Sequence, residues 1–279
     1  MDGICKCLAL DGGGVFGIGQ ACVLSQVDVS KFDFFVGTSI GSVVAASLAS
    51  GISRARLPEF FHEEMPRIFK RGLWRRINPF NSRYSDTALD FALIRLLKGQ
   101  FGAVPKPLFV TAANLCEKRL KIFESTDPED GSLPLWQVCR CAVAAETYFP
   151  PFIGYADGGV FANNPSMVAV AGASAKLGVA PSSLEICSIG TGSGSNATVR
   201  AGEDHSVIWW GRWLLQALLN GAANTMHEFF VNSLRCRKHL RIDFVRDGKW
   251  KMDNPSDMLR AEKAWADDIK RAVDLVSAF

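Results

Sequence analysis

Phe32-Asp33-Phe34-Phe35-Val36-Gly37-Thr38-Ser39-Ile40-Gly41-Ser42-Val43-Val44-Ala45-Ala46 changes character at its centre. The first five residues are mostly aromatic and β-branched, which suits a buried, pleated strand. From about residue 40 to 50 the chain is rich in alanine, valine and serine and reads as a helix. Between them lies a G-x-S-x-G sequence. A serine on a sharp strand-to-helix turn exposes its oxygen, and flanking glycines remove side chains that would collide there. The helix behind Ser39 also aims the positive end of its dipole at negative charge developing nearby. The bland alternative is a chance G-x-S-x-G in which Ser39 only caps a helix. The strand before it and the helix after it favour a nucleophile.

Working outward, residues 4–10 are a short apolar run ending at a glycine cluster, and read as a strand entering a tight loop. A helix is expected over 17–27. Residues 107–113 and 120–124 read as a strand pair, and 184–189 as another strand. Helical patterns fall at 55–70, 85–98, 134–144, 163–177, 208–235 and 256–276. Segments 125–134 and 192–206 are rich in turn residues. Strands alternating with helices predict an α/β fold, three layers deep, with helices on both faces of a mostly parallel central sheet. A single domain over 1–279 is expected, with a motif core at about 7–192 and a helical C-terminal part at about 207–279.

Composition narrows the class. A chain of 279 residues with 48% hydrophobic and 21% charged residues is long and apolar enough to bury its own core. A net charge of +3 is too small to indicate a nucleic-acid binder. Six of the eight cysteines lie in apolar runs, and the C-x-C pairs Cys5/Cys7 and Cys139/Cys141 lack the usual zinc spacing. Reduced, structural cysteines and no metal are the expectation. There is no secretory signal pattern and no run long enough to cross a membrane, so a cytoplasmic setting is the default.

Asp11-Gly12-Gly13-Gly14-Val15-Phe16-Gly17 follows the first strand and opens a helix. Successive glycines let backbone N–H groups converge on one anion. Two ligands would suit such a nest. One is the tetrahedral oxygen of acyl transfer. The other is a pyrophosphate, since Gly12, Gly14 and Gly17 also fit G-x-G-x-x-G. A dinucleotide fold wants an acid at the end of the second strand. Asp33 stands at its start, and the strand ends in the G-x-S-x-G instead.

A serine hydroxyl needs a base. The four histidines, His62, His205, His227 and His239, all have ordinary polar readings. A Ser–Asp–His triad using a histidine after Asp157, that is His205, His227 or His239, stays open. Asp157 ends an apolar run and precedes Gly158 and Gly159. It reads either as a plain D-G turn or as a base whose weak basicity burial would raise.

The set Asp11–Gly17, Gly37–Gly41 and Asp157-Gly158-Gly159 resembles the patatin-like phospholipases. Thr147-Tyr148-Phe149-Pro150-Pro151, Ala162-Asn163-Asn164-Pro165 and Ser188-Ile189-Gly190-Thr191-Gly192 are similar to further blocks of that family. The resemblance implies a Ser39–Asp157 dyad and an oxyanion hole built from Gly12, Gly13 and Gly14. Asp11, Gly17, Gly37, Gly41, Gly158 and Gly159 would be supporting positions. It further implies a membrane phospholipid substrate and no cofactor. Small bacterial members include effectors switched on by a cyclic nucleotide, often with self-association, so a small nucleotide activator and a homo-oligomer are further expectations. Two positions depart from the pattern. Phe16 stands where a basic residue is frequent, and Glu146 where proline is.

Residues 67–83 carry six basic side chains, no acidic ones and several aromatics. Lys70, Arg71, Trp74, Arg75 and Arg76 form a candidate lipid or phosphate surface, peripheral to the membrane. A solvated helix end with core anchors is the equal alternative. Residues 207–219 hold three of the seven tryptophans and read as core, lid or association face. Met258, Trp265, Ile269, Ala272 and Val276 have the spacing of a helix packed on the domain.

Overall fold

A computed structural model of the chain describes residues 3–70, 82–194, 206, 209–210, 214, 229, 231–246 and 250–279. Within them, a seven-stranded sheet runs β4-β3-β2-β1-β6-β8, with β5 also paired to β3. The strands are β1 (Cys5–Leu10), β2 (Phe34–Thr38), β3 (Leu108–Asn114), β4 (Arg119–Glu124), β5 (Tyr155–Asp157), β6 (Leu184–Ile189) and β8 (Lys238–Ile242). Strands β8, β6, β1, β2 and β3 are parallel, while β4 and β5 pair antiparallel with β3. Two short strands, β7 (Ser193–Gly194) and β9 (Val245–Arg246), form a separate parallel pair.

The central strands are buried on both faces, with side chains alternating between two cores. Leu8, Leu10 and Phe35 point into the larger core, with helices α1 (Ile18–Leu24) and α2 (Ile40–Ala49). Cys7, Ala9, Phe34 and Val36 point into the smaller one, against α6 (Ser166–Lys176). Between them in the chain come α3 (Arg56–Ile68), α4 (Thr87–Leu96) and α5 (Leu135–Ala142). This is the three-layer, mostly parallel arrangement expected.

The expected final helix is two helices, α7 (Pro255–Ala264) and α8 (Ala266–Ala278), broken at Trp265. The break has a local cause. The Trp265 indole donates to the Val245 carbonyl at 2.7 Å and stacks on Phe244 at 4.6 Å. The stripe from Met258 to Val276 is buried as its spacing required. Strands β5 and β8 carried no expectation. The first is only three residues long, and the second is written Lys-His-Leu-Arg-Ile, too charged to read as a strand. The turn-rich stretch after β4 holds a one-turn helix, Pro128–Gly131, capped by Asp127.

Sheet register decides where the functional residues meet. Strand β4 occupies one edge of β3 from Phe109 to Asn114. Strand β2 occupies the other edge only as far as Thr38, opposite Thr111. There β2 leaves the sheet at Ser39, and β5 takes its place, with Asp157 opposite Ala112. Ser39, one residue past the end of β2, and Asp157, the last residue of β5, therefore meet at one seam.

Candidate active site

Ser39 occupies a strained backbone position, φ 52° and ψ −129°, between β2 and α2. Such a conformation in a non-glycine residue costs on the order of 1–3 kcal/mol and persists only where the surroundings enforce it. Here the two flanking glycines enforce it. A Cβ on Gly37 would lie 2.5 Å from the Ser42 Cα, and one on Gly41 would meet the Asp11 carbonyl at 2.6 Å. The turn is thus pressed against the backbone of the Asp11–Gly14 loop.

The Ser39 hydroxyl donates to Asp157 Oδ2 at 2.5 Å, across 118 positions of sequence. The other carboxylate oxygen, Oδ1, accepts the Gly159 N–H at 2.8 Å. Gly158 packs on Thr111, where a Cβ would sit 2.7 Å from backbone atoms. Asp157 is buried. Burial raises its pKa from 3.8 to about 6, against the opposing pull of the Ser39 and Gly159 hydrogen bonds. Glu146 faces the same cleft and is raised to about 7, by burial first and then by the Asp157 charge.

The glycine loop is held from three sides. The Gly12 N–H donates to the Asn163 carbonyl at 3.1 Å. The Gly12 carbonyl accepts from the Thr191 hydroxyl at 2.6 Å. The Val15 N–H donates to the Met252 carbonyl at 2.9 Å. This corrects one expectation: Gly12 spends its donor on Asn163 and is a contact position against Ser39 rather than a free donor. Among the described residues, the Gly13 and Gly14 N–H groups take no protein acceptor, and both glycines border the cleft. Gly17 ends the loop where it packs on Phe61 and Ile40.

The cleft above Ser39 is open to solvent and spans about 980 Å³ when the space at its mouth is counted. One arm is apolar, lined by Val43, Phe60, Met65, Ile68, Leu89 and Leu93 from α2, α3 and α4. Ile68 and Phe69 begin the basic, aromatic segment noted above, and here they face the cleft and the core rather than a membrane. In the same segment Arg67 pairs with Glu64 at 3.0 Å and Lys70 is exposed. Arg71, Trp74, Arg75 and Arg76 lie outside the described residues, as does most of 207–219.

No histidine lines the cleft among the described residues. His62 bonds Glu262 at 2.9 Å on the surface, and His239 lies on β8, while His205 and His227 are outside the described residues. Asp33 sits exposed at the far end of β2 from the glycine loop, its carboxylate on the Lys6 N–H at 2.7 Å. That placement leaves the dinucleotide reading without its acidic residue.

The model of the patatin-like phospholipase family matches residues 8–170, more than half the chain and both Ser39 and Asp157. The chain belongs to the patatin-like phospholipase family. A cGAMP-activated phospholipase of Pseudomonas aeruginosa is 30% identical, over 70% of this chain and 64% of its own length. An intracellular phospholipase A2 of Caenorhabditis elegans is 28% identical, over 57% of this chain and 16% of its own. The crystal structure of VipD from Legionella pneumophila superposes with a TM-score of 0.53, covering 97% of this chain and 67% of that one, at 13% identity. This patatin-like chain spans 54–64% of the length of the cGAMP-activated phospholipases it matches.

Glu146, which the family resemblance puts near the mouth of the site, does line the cleft, while sequence reasoning missed Arg246 and Met252 as lining residues. Nothing in the sequence marks those two.

Proposed function

We propose that this chain is a serine lipid acyl hydrolase of the phospholipase A type, acting on membrane glycerophospholipids. The observation that carries the reading is the direct 2.5 Å bond from a strained serine to a buried carboxylate at the floor of an apolar cleft. Ser39 Oγ attacks the acyl carbonyl carbon as its proton passes to Asp157 Oδ2. A carboxylate raised to about 6 is a better proton acceptor than a free one, yet stays ionised at neutral pH.

The tetrahedral oxygen is held by the Gly13 and Gly14 N–H groups. Each preorganised donor contributes on the order of 3 kcal/mol to the transition state. Collapse breaks the ester bond. The lysophospholipid oxygen leaves with the proton from Asp157, and the acyl group stays on Ser39. Water then gives its proton to Asp157, attacks the acyl carbonyl, and the fatty acid departs as the proton returns to Ser39. No metal or cofactor enters these steps. The apolar arm receives the acyl chain, with each buried methylene contributing about 0.8 kcal/mol.

The relatives named cGAMP-activated phospholipases support a cyclic-nucleotide activator. Self-association, a cytoplasmic chain that meets the membrane peripherally when active, and the single-domain organisation over 1–279 belong to the same proposal. No helix among the described residues is long and apolar enough to cross a membrane.

The test is fatty-acid release from phospholipid vesicles, followed by mass spectrometry with and without cyclic dinucleotides. Ser39→Ala should abolish release. An unchanged rate sinks the assignment, and full activity without nucleotide removes the activator.

A further inference from the structure

Asn163 follows the one-turn helix Gly159–Ala162, which leads away from Asp157. Its backbone is clamped to the two other segments of the site. The Asn163 carbonyl accepts the Gly12 N–H at 3.1 Å. One residue earlier, the Ala162 carbonyl accepts the hydroxyl of Thr38, the last residue of β2, at 2.6 Å. The Asn163 side chain is only 8% exposed and lines the cleft with Ser39, Gly13 and Gly14. A Cβ on Gly12 would lie 2.5 Å from Asn163 Oδ1 and 2.9 Å from the Ser39 Cβ, so amide and nucleophile flank one point on the glycine loop.

Among the described residues, the Asn163 amide has no hydrogen-bond partner. A nearly buried amide left without one is costly, and a fold keeps few such groups. The next residue shows the ordinary alternative. Asn164 Oδ1 accepts from both the N–H and the hydroxyl of Ser166, at 3.0 and 2.6 Å, and so starts α6.

We infer that the Asn163 side-chain amide is a third oxyanion donor, joining the Gly13 and Gly14 N–H groups on the tetrahedral oxygen formed at Ser39. This rests on the reading of Ser39 and Asp157 as the catalytic pair. Three physical arguments carry it. The amide holds no protein acceptor, so donating to the oxyanion breaks no bond within the fold. Its backbone is fixed to both the glycine loop and β2, and donors that need not move as charge develops stabilise a transition state most. A neutral donor also leaves Asp157 its raised basicity, whereas a cation at the same place would lower it.

The experiment uses the full chain and two ketones of equal chain length. A long-chain trifluoromethyl ketone reports the oxyanion without turnover. Ser39 Oγ adds to its carbonyl carbon, the proton passes to Asp157, and the carbonyl oxygen becomes the anion. The matching methyl ketone stays trigonal and reports ground-state binding. Asn163→Ala should weaken the trifluoromethyl ketone by about 100-fold and the methyl ketone by less than about twofold. Its kcat on p-nitrophenyl butyrate should fall by about 100-fold, with KM little changed. Asn163→Asp keeps the shape but replaces the N–H donor by a carboxylate oxygen. It should lose at least as much at pH 8, and it decides the matter if the alanine variant fails to fold.

Equal effects on the two ketones would show that Asn163 merely shapes the cleft and would overturn the inference. So would an Asn163→Asp protein with near wild-type kcat at pH 8. If Ser39→Ala binds the trifluoromethyl ketone as tightly as wild type, no adduct forms at Ser39, and the catalytic reading falls together with this inference.

Discussion

Arg241 grips Asp11 with both ends of its guanidinium, Nη1 to Oδ1 at 2.9 Å and Nη2 to Oδ2 at 2.6 Å, across 230 positions of sequence. Asp11 is 2% exposed and opens the glycine loop, while Arg241 lies on the edge strand β8. The Ser188 hydroxyl also accepts from Nη1 at 2.7 Å. The bridge therefore ties the loop to the β6–β8 end of the sheet, where a bidentate geometry fixes direction as well as distance.

Removing one partner should be costly, because the other charge stays buried. Asp11→Asn or Arg241→Met should lower stability by about 3–5 kcal/mol. Denaturant melts check this, and a loss below about 1 kcal/mol, the range of surface pairs, would show that the pair is solvated.

The proposed base sets a pH limb. Asp157 must be ionised to accept the Ser39 proton, and its pKa is raised to about 6, chiefly by burial. Vesicle kcat/KM should fall as pH drops through about 6, not near the 3.8 of a free aspartate. Glu146, raised to about 7, should add a second inflection that Glu146→Gln removes. A flat profile from pH 5 to 8 contradicts the assignment.

Function and stability should oppose one another at Asp157. Well below pH 3.8 it is protonated in both folded and unfolded chains. As pH rises from about 3.8 to about 6, the unfolded chain loses its proton while the folded chain keeps it, and the fold gives up on the order of 3 kcal/mol, with no further loss above that window. Asp157→Asn should therefore be inactive yet more thermostable than wild type at pH 8, with the gain vanishing toward pH 4. Thermal melts across pH test it, and a variant less stable at pH 8 refutes the cost.

The apolar arm should read acyl length. Ile68 is buried at its wall. Ile68→Trp should cut the preference for a sixteen-carbon over an eight-carbon acyl ester by at least about tenfold, since burying a methylene contributes about 0.8 kcal/mol. Competition assays with paired esters give the ratio directly, and an unaltered ratio places the chain elsewhere.

Gly13 borders the proposed oxyanion position and packs against Thr191, where an added Cβ would clash. Gly13→Ala should shift the loop and lower kcat by on the order of 100-fold, with KM little changed. A matching rise in KM would assign the loop to substrate binding.

The sequence by itself determined the parts whose constraint is local. Glycines at 37 and 41 exist because backbone passes where a Cβ would sit, and that crowding is written as a G-x-S-x-G between a strand and a helix. Alternating Leu8, Ala9 and Leu10 likewise announced a strand buried on both faces. The family resemblance paired Ser39 with Asp157, but only the tertiary structure decided how distant groups meet. Asp157 reaches Ser39 because β2 ends at Thr38 and β5 continues its place on β3, a matter of register that three residues of strand do not encode locally. Arg241 and Arg246 come to the glycine loop on β8 and β9, strands whose charged residues look like ordinary surface until the sheet turns them inward. Backbone crowding leaves a mark within a few residues. Long-range pairing leaves none, because its energy depends on where the rest of the chain has folded.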